Sequence, residues 1–201
     1  MLKLLNNFIL YFKMKILLVF IIILIISIYI NYDLKYNEKF QILQLSSNKI
    51  NQDILYEKNP IIIEDKISDI DDFINVVMPY EKIYKNKFIY NKKNNINKNL
   101  TNYLLIYNSN NILVDIYISH PRNMNKFNWS SSNSNNYNIS SYKVNDFNNI
   151  NNTQFVKITL KPKQTIILPK FWLFTINEKL TLCSLFGFIN YFVSTYKSIN
   201  I

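Results

Sequence analysis

Residues 103–119 read YLLIYNSNNILVDIYIS, and the pattern in this stretch decides the fold class. Two apolar segments, 103–107 and 112–119, flank four polar residues at 108–111. Aromatic and β-branched side chains dominate both segments, which suits a pleated, half-buried backbone. In the second, Ile112, Val114, Ile116 and Ile118 alternate with Leu113, Asp115 and Tyr117, so one face is wholly aliphatic. The spacing predicts a β-hairpin.

Strands of the same kind follow downstream. Val156, Ile158 and Leu160 alternate within 154–160, and a turn at Lys161-Pro162-Lys163-Gln164 leads into 165–169 and then 170–176. A further turn at 177–179 opens the apolar stretch 180–193, expected either as a strand that bends near Gly187 or as a strand running into a short helix. Fourteen residues that include Ser184 and Asn190 are too few for a membrane span. Residues 128–153 are rich in Ser and Asn and lack periodicity, the signature of a long mobile loop.

Upstream, Ile61-Ile62-Ile63 suits a buried strand. Ser68 is the expected N-cap of an amphipathic helix, with Asp71 at N3 and Ile70, Phe73, Ile74 and Val77 on its inner face; Met78-Pro79 ends it. Asp69, Asp71 and Asp72 crowd the first turn, where the helix dipole favours acid; capping is the expected role, with metal binding the sharper alternative. Lys82, Lys85, Lys87, Lys92, Lys93 and Lys98 fall in a polar segment interrupted by a short strand at 88–90. That segment reads as a solvated loop, or alternatively as a patch for anionic lipid headgroups.

Near the start, residues 16–30 read ILLVFIIILIISIYI, with no charge and thirteen Ile, Leu, Val or Phe side chains. At about 0.3–0.6 kcal/mol each, these favour insertion into a bilayer by roughly 4–8 kcal/mol. With Lys13 and Lys15 able to snorkel, residues 14–32 are read as a transmembrane helix and the lipid bilayer as a partner. Nothing resembling a signal-peptidase site follows. Lys3, Lys13 and Lys15 precede the run without an acid, while Asp33 and Glu38 offset Lys35 and Lys39 after it. On that balance the N-terminus is expected in the cytoplasm and residues 33–201 on the lumenal or external side. The resulting division is a tail at 1–13, the membrane helix at 14–32, a stalk or linker at 33–59, and a β-rich domain at 60–201.

Composition narrows the chemistry. The 201 residues include one Gly, one Cys and one His, and about one residue in six is Asn. Residues with AT-rich codons are abundant and those with GC-rich codons scarce, so the net charge of +10 owes much to base bias toward lysine. With a single arginine, the bidentate contacts of nucleic-acid readers are largely missing, and no nucleic-acid partner is expected. One glycine excludes phosphate-cradling loops and the nucleophile elbow. One cysteine excludes an intramolecular disulfide.

Residues 156–176, VKITLKPKQTIILPKFWLFTI, resemble the second half of a cupin, or JmjC-like, double-stranded β-helix, nearest to cupin-like proteins of large AT-rich DNA viruses. Leu160, Pro162, Ile167, Pro169 and Trp172 carry the likeness; Lys163 and Gln164 stand where that family usually has Gly-Asp. The six or more short strands and one early amphipathic helix already suggest a mainly β fold, a small antiparallel β-sandwich or barrel behind the N-terminal transmembrane helix. The resemblance implies that the barrel is cupin-like. Enzymes of the family hold Fe(II) through His-x-Asp/Glu and a later His, leaving open positions for oxygen and 2-oxoglutarate. Here His120 is followed by Pro121-Arg122, and Phe174 occupies the place of the later His. The chain is therefore expected to be non-catalytic, with no catalytic, cofactor-binding or metal-binding residue and no cofactor, in a structural or ligand-docking role; a diverged oxygenase is the alternative. His120 is expected as a surface residue ending a strand, and Cys183 as a buried inert thiol rather than the partner of a His120 base. Four glycosylation sequons, at Asn99, Asn128, Asn138 and Asn151, fall in expected loops.

Overall fold

The computed structural model describes residues 2–79, 84–91, 95–127, 139–143 and 155–187. They form two units, 1–35 and 36–201. The first is one helix, α1 (Leu2–Leu34). The expected tail is thus helical from Leu2, and no break separates it from the apolar run. Within α1, the 21 residues Tyr11–Asn31 are long and apolar enough to cross a membrane. At 1.5 Å per residue they cover about 31 Å, close to the hydrocarbon thickness of a bilayer.

The second unit contains, in chain order, β1 (Leu43–Leu45), α2 (Gln52–Tyr56), β2 (Ile61–Ile63), α3 (Ile70–Val77), β3 (Tyr84–Tyr90), β4 (Asn95–Asn99), β5 (Tyr103–Tyr107) and β6 (Val114–Ser119). After these come β7 (Ile139–Lys143), β8 (Phe155–Leu160), β9 (Thr165–Pro169), β10 (Leu173–Ile176) and β11 (Leu180–Phe186). A six-stranded sheet runs β1-β2-β9-β5-β11-β3, and a five-stranded sheet runs β7-β4-β10-β6-β8. Every pairing is antiparallel except β1 with β2. The mainly β class read from the sequence is what the chain adopts.

The expected hairpin at 103–119 is not formed. β5 lies in the larger sheet between β9 and β11, whereas β6 lies in the smaller sheet between β10 and β8. The pattern of β5 explains why. Tyr103, Leu104, Leu105 and Ile106 are all buried, so this strand is covered on both faces and takes two partners from distant sequence. The connection at 108–113 is an arch between sheets, held by the buried Asn108. Its Nδ2 donates to Ile112 O (2.8 Å) and Leu160 O (3.1 Å), its backbone N–H donates to Gln164 O, and its carbonyl accepts from Lys163 N. The turns at 161–164 and 177–179 cross between sheets in the same way.

Between the sheets, Leu104, Ile106, Ile166, Leu168 and Leu182 meet Val114, Ile116, Ile118, Leu160 and Phe174 in the main core. The outer face of the larger sheet (Leu105, Ile167, Cys183, Leu185) is covered by Leu55 of α2 and by Ile70, Phe73 and Ile74 of α3. Residues 36–59 are therefore not a stalk. β1 extends the larger sheet, and Leu55 and Asn59 are buried within the unit.

Two local expectations shift. The N-cap of α3 is Asp69, not Ser68: its carboxylate accepts from Asp71 N at 2.6 Å. The lysine segment is largely strand, because β3 pairs with β11 along seven residues and β4 joins the smaller sheet. Residues 80–83, 92–94, most of 128–153, and 188–201 lie outside the described residues, and with them Lys82, Lys92, Lys93, the end of the 180–193 stretch, and the sequons at 128, 138 and 151.

Lys58, Lys163 and Phe171 hold left-handed backbone, with φ of 55°, 65° and 71°. An L side chain in that region costs about 1–2 kcal/mol, partly offset by the greater chain entropy a glycine would lose on folding. A chain with one glycine has non-glycine residues where turns call for it. Lys163→Gly should therefore raise stability by about 0.5–1 kcal/mol in urea unfolding. Glycine at the neighbouring Lys161, which lacks positive φ, should lower it. A loss at both positions would contradict the strain assignment.

Candidate functional site

One end of the unit brings His120 and Trp172 together. β4 ends there at Asn99, β6 runs into His120, and β9 ends at Pro169 before the tight turn through Lys170 and Phe171 to Trp172. That turn is clamped to β4: Asn99 N donates to Trp172 O (3.0 Å) and Phe171 N donates to Asn99 O (2.8 Å). Trp172 is fully buried. Its ring lies 5.3 Å from His120 and 5.7 Å from Phe40.

His120 is not a surface residue; it is 1% exposed. Its ring lies edge-on to Tyr36 and near Phe40. Nδ1 accepts from Arg122 N (3.2 Å), capping the short helix Pro121–Lys126, and this leaves Nε2 to donate to Asn37 O at 2.7 Å. Both ring nitrogens are spent on structure, in the neutral tautomer protonated at Nε2. The sequence signal for this role was Pro121, whose fixed φ suits the first helical position after a capping side chain.

Burial holds the His120 pKa below its usual 6.5, with Arg122 adding to the effect and the Asn37 carbonyl opposing it. The unfolded chain therefore takes up a proton near pH 6.5 that the folded chain refuses until lower pH. His120 then contributes stability that is complete above about pH 6.5 and is lost as pH falls through its folded pKa. Because it is the single histidine, its C2–H resonance is unique, and its titration midpoint should lie below 6.5. A midpoint above 6.5 would contradict this environment.

The buried side chains of Phe174 and of the strand β4 beside it are amides and apolar groups. Across the strands, Phe174 sits opposite Asn97 of β4 and Ile118 of β6. The i, i+2 pair on β4 is Asn97 and Asn99, both fully buried and both amides. Their oxygens are occupied. Asn97 Oδ1 accepts from Tyr90 OH at 3.0 Å, and Asn99 Oδ1 accepts from Thr101 N and Oγ1 at 2.9 and 2.7 Å. Asn97 Nδ2 in turn donates to Tyr90 OH at 2.7 Å, and burial pushes the Tyr90 hydroxyl up to about 12, against the hydrogen bonds from Asn97 and Asn95. No group of three His, Cys, Asp or Glu suited to a metal occurs among the described residues.

No protein-family model matches this chain, and neither does any curated protein.

The remaining candidates separate. Cys183 faces the α3 side of the larger sheet, and burial pushes its thiol up to about 11, so it is no ready nucleophile. Asp71 is engaged at both oxygens, by Lys85 at 2.6 Å and Lys87 at 3.3 Å, which ties α3 to β3. The Lys85 hydrogen bond is the main cause that lowers the Asp71 pKa, although both partners remain partly exposed. Both lysines belong to the segment read alternatively as an anion patch, and both remain partly exposed. A third, Lys98, is half-buried, and desolvation lowers its pKa.

Proposed function

We propose that this is a single-pass membrane protein whose residues 36–201 form a cupin-like double-stranded β-helix lacking an iron centre and serving a structural or ligand-docking role. The strand order supports the architecture. β3-β11-β5-β9 in one sheet face β4-β10-β6-β8 in the other, and the chain changes sheets at all but one of the connections in that set. This alternation is the winding of a double-sheet jelly roll, the class that includes the cupins. The observation that carries the non-catalytic reading is Phe174 opposite an Asn97 whose amide oxygen is held by Tyr90.

Full-length protein purified in detergent and incubated with Fe(II) should retain far less than one iron per chain and form no succinate from 2-oxoglutarate. Stoichiometric iron would overturn the non-catalytic reading. The chain should also stay in the membrane pellet after alkaline carbonate extraction, as Tyr11–Asn31 requires; release into the supernatant would overturn the anchor.

A further inference from the structure

We infer that residues 36–201 lie on the cytoplasmic side of the membrane, because the sequon Asn99-Leu100-Thr101 is built into the fold in a form that cannot carry a glycan. This rests on the anchor reading above and reverses the orientation expected from charge balance. The sugar of an N-linked glycan replaces one hydrogen on the asparagine Nδ2. In this fold Asn99 Nδ2 uses both hydrogens, donating to Leu168 O at 2.9 Å and to Pro169 O at 3.0 Å. Thr101, the residue that completes the sequon, is also fully buried; its hydroxyl donates to Asn99 Oδ1 and contacts Tyr103 O at 2.9 Å. A glycan at Asn99 would break a bond between β4 and the end of β9 and push a sugar into the packed end of the domain.

Timing makes the point sharper. The carbonyls that shield Asn99 lie 69 and 70 residues further along the chain. At about 5–20 residues per second they are synthesised roughly 4–14 s after Asn99. During translocation into a glycosylating compartment, Asn99 would pass the transferase extended and unprotected. A domain that folds in the cytoplasm never meets that hazard.

The charge argument for the opposite orientation is weaker than net balance suggests. The positive-inside bias counts Lys and Arg near the span and gives little weight to acids. Lys3, Lys13 and Lys15 on one side meet Lys35, Lys39 and Lys49 on the other, three against three. Flanking charge is even, so the buried sequon decides.

The test uses the full chain with a C-terminal epitope, expressed in eukaryotic cells. Antibody should reach the epitope when only the plasma membrane is permeabilised, and endoglycosidase should leave gel mobility unchanged. An epitope protected until internal membranes are opened would overturn the inference, with or without a glycan, and so would any endoglycosidase-sensitive shift. Carbonate extraction of the same cells separates the two readings: a retained chain with a protected epitope sinks the orientation alone, whereas a released chain sinks the anchor and the orientation with it.

Discussion

Trp172→Ala should destabilise residues 36–201 by about 3–5 kcal/mol, a large share of the 5–15 kcal/mol that holds a typical domain together. The indole is fully buried and joins the inter-sheet core to the two rings that anchor the entering chain, His120 and Phe40. Removing it leaves a cavity at a place where the backbone has little room to collapse. The turn 169–172 is clamped to Asn99 by backbone hydrogen bonds on both sides, and Phe171 already holds a strained φ of 71°. The indole Nε1 has no hydrogen-bond partner among the described residues, so its role is packing rather than polar contact. Trp172→Phe should therefore cost much less, about 1 kcal/mol, since it keeps most of the aromatic surface and forfeits no bond. Urea midpoints of the two variants check this, together with proteolysis near residues 36–40, which should speed up only in the alanine variant. Equal losses for Ala and Phe would mean the indole N–H matters and the packing account fails.

The strands themselves were legible in the sequence, and so was the apolar helix. Runs such as 103–107, 165–169 and 180–186 announce themselves by β-branched and aromatic content, which depends on local backbone geometry. Pairing does not. Asn108-Ser109-Asn110-Asn111 looks like a hairpin loop, yet the choice between a hairpin and an arch depends on whether the flanking strands are covered on both faces. For β5 that cover comes from Leu55, Ile70 and Ile74 on one side and from the opposite sheet on the other. Neither source is visible in 103–119 alone. The same long-range dependence hid residues 36–59. Asn37 looks like linker, but its side chain donates to Glu57 O and Asn59 Oδ1, while its carbonyl accepts a hydrogen bond from His120 Nε2.

The site was legible mostly as an exclusion. The expectation of no iron centre rested on a histidine count and the identity of residue 174. What fills the space, the mutual hydrogen bonding of Asn97 with Tyr90 and the four bonds of Asn99, could not be read, because asparagine is common throughout the chain and carries no signal by frequency. Glycine scarcity obscured turns in a similar way. Lys163 and Phe171 occupy left-handed positions that a chain with less base bias would fill with glycine, so the usual punctuation of the sequence is missing where the fold turns most sharply.

Asn99→Ala should destabilise the domain by roughly 2–3 kcal/mol, and with a different pH signature from Asn99→Asp. Alanine leaves the carbonyl of Leu168 and the N–H of Thr101 without the Asn99 side chain, while Pro169 O keeps Trp172 N (3.4 Å) and the Thr101 hydroxyl keeps Tyr103 O (2.9 Å). At about 1 kcal/mol or more for each stranded group, plus the weakened shared ones, the loss is roughly 2–3 kcal/mol. Aspartate can still accept from Thr101, but its second oxygen then points at two carbonyl oxygens. That repulsion favours the protonated acid, which can donate to one of the carbonyls and restore part of the network. The aspartate variant should therefore fall well below wild type at pH 7.5 and recover toward it as pH drops to about 5, whereas the alanine variant shows no recovery relative to wild type at any pH. Measuring all three proteins at each pH removes the background contribution of His120, which is common to them. Parallel pH profiles for the two variants would show that the amide donors of Asn99 do not hold β4 to the end of β9. The buried sequon would then lose the rigidity on which the cytoplasmic orientation depends.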